Sequence, residues 1–166
     1  MPAFHEGQAR AAIKTVLDGV ANMGKVHDYE RFADDWEALQ TMYQADIAGV
    51  SQLRGWSISL EDMSQEQLTF GPPGTAGTDE VSYGYRIRGY MAVSDEDASE
   101  KTFVTLALTA KQALDDAAAL HSSRLDQGAA GEFYGPPCPA ARWDFRTFGD
   151  VLVHYAEIEI LVKEVV

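Results

Sequence analysis

The spacing of apolar residues switches period along this chain, from helical to alternating, back to helical, and to alternating again. That succession constrains the fold class more than any single motif does. Ala9, Ile13, Val16, Leu17 and Val20 recur at helical spacing and predict a helix over residues 5–22, ended by Asn22 and Gly24. Phe32, Trp36, Leu39 and Tyr43 carry a second helical stripe, with Asp34, Asp35 and Glu37 in its early turns and Gly49 as its stop. Trp56, Ile58 and Leu60 then alternate with Ser57, Ser59 and Glu61, the pattern of a half-buried strand. Residues 67–70 read as a short partner strand.

Strand character resumes at residues 83–91. Tyr83, Tyr85, Ile87 and Met91 share one face there, and Arg86, Arg88 and Tyr90 share the other. Asp97-Ala98-Ser99-Glu100 reads as a capping box opening a long helix, striped by Phe103, Leu106, Ala110, Ala113, Leu114, Ala117 and Leu120. Two strands follow. Trp143, Phe145 and Thr147 oppose Asp144, Arg146 and Phe148, and Gly149-Asp150 reads as a hairpin turn. In the last strand Val151, Val153 and Tyr155 share one parity while Ile158, Ile160 and Val162 take the other, which predicts a bulge near Ala156-Glu157. The order is that of an α+β fold: a mainly antiparallel sheet packed against a long helix plus N-terminal helices.

A length of 166 residues, with no internal repeat, suits one domain spanning 1–166. The Gly- and Pro-rich stretches at 71–80 and 122–140 are expected to be mobile loops. Hydrophobic residues make up 46% of the chain, enough for a sizeable core without staples. The net charge of −13 argues against specific nucleic-acid binding, which draws on clustered Lys and Arg. The opening residues carry no basic-then-apolar leader and no apolar run approaches membrane-spanning length, so the expectation is a soluble protein of the reducing cytoplasm without membrane contact.

Chemistry is sparse in the sequence. Cys138, the sole cysteine, has proline on both sides and reads as part of a rigid loop rather than a nucleophile. His5, His27, His121 and His154 fall in separate segments without ligand spacing, so no metal or other cofactor is expected. His27-Asp28 beside Tyr29 and Arg31 reads as a capped turn, in which Asp28 accepts backbone N–H groups and Tyr29 packs, rather than an acid–base cluster. His154 reads as a satisfied or solvent-facing histidine. The strand face of Arg86, Arg88 and Tyr90 is of a different kind, because Arg and Tyr are enriched in interfaces.

In order and spacing, these elements resemble the tail-terminator and tail-completion (neck) proteins of long-tailed bacteriophages and prophages. The resemblance rests on Val26-His27-Asp28-Tyr29-Glu30-Arg31, on Gly55-Trp56-Ser57-Ile58, and on Tyr85-Arg86-Ile87-Arg88-Gly89-Tyr90. Asp97 with Ser99 before the long helix, and the hydrophobic strand from Val151 to Val162, complete it. Val26, Asp28, Tyr29, Arg31, Gly55 and Trp56 carry the family-like motif. The resemblance implies a structural virion protein and not an enzyme. Such proteins form a ring, usually hexameric, that caps the tail tube, ends its polymerisation and offers a head-tail joining surface. Implied partners are further copies of the chain, the tail tube protein and the head-tail connector. The implied location is the host cytoplasm during assembly and then the tail or neck of the virion.

Candidate subunit or tube contacts are Arg86, Arg88 and Tyr90 on the strand face, with Pro72, Pro73 and Thr75 in the loop. An acidic ring would let DNA slide through without arrest. A second reading is a small-molecule-binding α+β domain with an aromatic-lined pocket between curved sheet and long helix. A third is an enzyme drawing on dispersed residues.

Overall fold

The computed structural model describes residues 4–72, 77–94, 96–120, 133–135, 138 and 140–166. The chain runs α1 (Glu6–Asp18), β1 (Lys25–His27), α2 (Trp36–Tyr43), β2 (Gln44–Ile47), β3 (Val50–Gln67), β4 (Asp79–Ala92), α3 (Ser99–Asp115), β5 (Ala140–Phe148) and β6 (Val151–Val165). The architecture is α+β, one sheet of order β1-β3-β4-β6-β5 with β2 folded back on β3. Among the described residues every strand pairing is antiparallel except that of β1 with β3. Among the described residues no helix is long and apolar enough to cross a membrane.

The helical stripe of α1 buries Ala9, Ile13 and Leu17, and that of α3 buries Phe103, Leu106, Ala107, Ala110 and Leu114. Both helices lie on one face of the sheet, against Trp56, Ile58, Tyr83, Tyr85, Ile87, Ile158, Ile160 and Val162. Trp56 anchors this layer. Its indole N–H donates to the Met23 carbonyl at 3.0 Å, and its ring stacks on Phe103 at 5.8 Å. Gly89 sits directly across from it in β4, and a Cβ there would lie inside the indole. Gly55 has the same relation to the Tyr43 ring on the opposite face. The Gly55-Trp56 pair therefore serves two layers at once.

Among the described residues the second face is covered only at one end. There α2 packs Leu39 and Tyr43 on Leu53 and Val153, with Trp36, Tyr90 and Phe148 around them. This cover explains the change of parity in the last strand. β6 runs in unbroken register with β4 from Val153 to Val165, with no bulge at Ala156-Glu157. Its even positions, among them Ile158, Ile160 and Val162, stay on the α1/α3 face throughout. Val153 and Tyr155 are apolar because α2 and the neighbouring aromatics shield that end of the open face. The bulge lies in β3 instead, between Leu60 and Asp62, and turns Glu61 onto the open face. Ser57, beside Tyr43, and Ser59, bonded to Glu61 and Arg88, are buried as well, so β3 is not half-exposed at that point.

Other boundaries differ from the sequence expectation. α2 starts at Trp36, where the Asp35 carboxylate accepts the Ala38 N–H at 2.7 Å, and Phe32 lies before it, exposed. It stops at Tyr43. Gly49 ends no helix; with Ala48 it forms the left-handed turn (φ 82° and 53°) that joins β2 to β3. Residues 67–70 form no separate strand, since β3 itself continues to Gln67. The capping box is not formed. Ala98 occupies the N-cap in a left-handed conformation, and the Asp97 carboxylate accepts the Ser94 hydroxyl. The β5–β6 hairpin closes as read, with Phe148 opposite Val151 and Gly149 at φ 58° in the turn.

Candidate functional site

Strand alternation places Arg86, Arg88 and Tyr90 side by side on the open face, as their parity predicts. The bulged Glu61 reaches between the two arginines. Arg88 donates to Glu61 at 3.0 Å and to Glu30 at 2.6 Å, while Arg86 sits 3.4 Å from Glu61 and 4.0 Å from Glu159. Burial alone would raise the Glu61 carboxyl; the Ser59 hydroxyl and the two guanidiniums outweigh it and hold it below the usual carboxylate range. These arginines are therefore neutralised within the fold.

Tyr90 lies in an aromatic cluster, its ring 5.2 Å from Tyr43, 5.7 Å from Phe148 and 5.3 Å from Tyr155. Desolvation pushes its hydroxyl up to about 12. Together with Glu30, Arg88, Arg146 and Glu157, the Tyr90, Phe148 and Tyr155 rings line an open depression of about 350 Å³. Between the sheet and α3, Trp56, Phe103 and their neighbours pack together, the two rings stacked at 5.8 Å.

The family-like motif is dispersed by the fold. Val26 is buried beside Trp56 in the parallel β1–β3 pair. Asp28 offers its main-chain carbonyl to Arg10 at 2.8 Å. Tyr29 does not pack inside: it is 53% exposed, with the Arg31 guanidinium 5.8 Å above its ring. Pro72 is exposed at the end of the described part of its loop; Pro73 and Thr75, like most of the two loops expected to be mobile, lie outside the described residues.

The three described histidines stay apart. His27 Nε2 is 2.9 Å from the Met42 carbonyl, and His154 Nε2 is 2.8 Å from the Ser99 hydroxyl. His5 meets the fully buried Glu164, which also accepts the Tyr83 hydroxyl. His121 lies outside the described residues. Among those residues, no group of three His, Cys, Asp or Glu side chains is placed to hold a metal ion. Cys138 is buried, its N–H bonded to Asp115, and burial pushes its thiol up to about 12, which leaves almost no thiolate at neutral pH.

Sequence reasoning missed the exposed margins of the sheet. Among the described residues β5 is an edge strand, exposed on both faces, with Trp143 39% and Phe145 48% exposed. At the opposite margin β3 outruns β1, which pairs only with residues 55–57, so among the described residues its length from Ile58 to Gln67 has no outer neighbour. Residues 61–67 there are all exposed. The signal was available in part, since Trp143 and Phe145 share the parity of core residues yet belong to a strand with charge on its other side.

No protein-family model matches the chain, and no curated protein matches it in sequence.

Proposed function

We infer that this protein is a structural subunit that assembles with copies of itself into a ring capping a phage tail tube, ending polymerisation of the tube and presenting a surface to the head-tail connector. The observation that carries this reading is the presence of two unlike exposed sheet margins, one aromatic and Arg-bearing, the other acidic. A closed ring needs two different patches on each subunit, and one sheet with dissimilar free edges supplies them. The resemblance in sequence to terminator proteins supports it as well, and a net charge of −13 suits a lumen through which DNA slides.

Electron microscopy of particles assembled with and without this protein tests the reading. The expected outcome is overlong, headless tubes in its absence and tubes of uniform length on its return. Uniform tubes in its absence overturn it.

A further inference from the structure

Resting on the ring reading, we propose that the subunits join edge to edge, the β5 margin of one chain adding antiparallel to the free β3 margin of the next in a single register. The strand order requires the antiparallel sense. β3, β4, β6 and β5 alternate in direction, so a rotated copy brings its β3 beside β5 running the opposite way, with helices on the same face.

The backbone donors agree. In β5 the two-residue turn makes Phe148 and Val151 a bonded pair, so odd positions point their amides outward; the Phe145 N–H accordingly turns to its neighbour Asp144 at 2.8 Å. In β3 the Leu68 N–H bonds the Thr78 carbonyl at 2.8 Å, which leaves Met63, Gln65 and Gln67 facing outward. Odd residues therefore meet odd residues.

Side chains then select the register. With Phe145 opposite Met63, Trp143 falls opposite Gln65, and Met63, 45% exposed, is covered by the two aromatics. On the other face Arg146 falls opposite Asp62, Asp144 opposite Ser64, and Arg142 opposite Glu66. Both charge pairs are separated by four residues, so they match together or not at all. Among the described residues Asp62 and Glu66 carry no ion pair; Arg142 is 71% exposed with a single 3.8 Å contact to Glu159, and Arg146 lies 4.4 Å over the Tyr155 ring. A shift by two residues would place Asp144 against Asp62 or Glu66, which like-charge repulsion disfavours. An aromatic edge left bare would be an aggregation hazard; pairing with its own acidic margin covers it.

Light-scattering mass of charge-reversed chains tests this. Arg142→Glu with Arg146→Glu, or Asp62→Arg with Glu66→Arg, should each weaken association by ~10-fold or more, and the chain carrying all four should regain it. In a Cys138→Ala background, mixing Ser64→Cys chains with Asp144→Cys chains should give a disulfide between the two that neither forms alone. A wild-type ring whose mass ignores the Asp62 and Glu66 reversals overturns the interface and leaves the ring. Equal cross-linking of either cysteine chain alone does the same, in favour of a two-fold contact. A wild-type chain that stays monomeric at every concentration overturns interface and ring together.

Discussion

His154 is buried beside Phe103 and Phe145, where its strand and the N-terminus of α3 meet. Desolvation lowers its affinity for a proton, and Glu100 offsets this only in part. The Nε2 of the ring lies 2.8 Å from the Ser99 hydroxyl, whose oxygen receives the Ser94 N–H at 2.8 Å. This chain of bonds ties the start of α3 to β6 and to the segment before it, where the Ser94 carbonyl accepts the Ser99 N–H at 3.1 Å; among the described residues no side chain caps the helix. Because the folded state holds the histidine below its ordinary 6.5, the unfolded chain binds the proton more readily. The associated stability is complete above that value and is lost as pH falls through the lower folded one. The melting temperature should therefore drop between about pH 7 and pH 5, and His154→Gln should flatten that part of the profile. An unchanged slope in the variant would show that other groups set it. The identity of the partner could not be read from the sequence, because Ser99 and His154 are joined only when α3 docks on β6.

At the scale of elements, α2 is the instructive case. It is eight residues long, too short to be stable alone, so packing and not propensity holds it. Leu39 and Tyr43 provide that packing, and they are what makes the open face apolar at one end. Leu39→Ala should destabilise the fold by about 2–5 kcal/mol in denaturant unfolding, whereas the exposed Leu152→Ala should stay within about 0.5 kcal/mol. A small effect at Leu39 would mean that α2 is an ornament of the sheet. The change of parity in β6 was visible in sequence, but its cause was not. A strand can change its apolar side either by a bulge or by acquiring cover on the second face, and a single strand's pattern does not separate the two. α1, α3 and β4 were legible because each carries a long, unbroken period, and the β5–β6 hairpin because Gly149-Asp150 marks its turn. The β2 strand was not, since four residues following a helix in helical phase give no contrary signal.

For the whole molecule, charge acts at two ranges. A net charge of −13 makes the subunits repel one another, and this repulsion reaches about 30 Å at 0.01 M salt but only about 10 Å at 0.1 M. The pairing of Arg142 and Arg146 with Glu66 and Asp62 acts at contact distance and survives moderate salt. Ring assembly should therefore strengthen from about 0.01 M to about 0.1 M salt and weaken again toward about 1 M, measured as mass at fixed protein concentration. A steady decline across the whole range would mean that the short-range pairs dominate throughout and that net repulsion is unimportant.

What the sequence by itself determined is periodicity: where helices and strands run and which side of each is apolar, because burial selects side chains at the repeat of the element. Arg86, Arg88 and Tyr90 were placed on a common face by that rule alone. Tertiary structure decided what those side chains do there. Glu30 and Glu61, distant in sequence, neutralise the arginines, and the strand order leaves Trp143, Phe145 and the acidic end of β3 at the two margins. Partners across a sheet and the identity of its edges are long-range properties, set by which strands pair, and no local pattern encodes them.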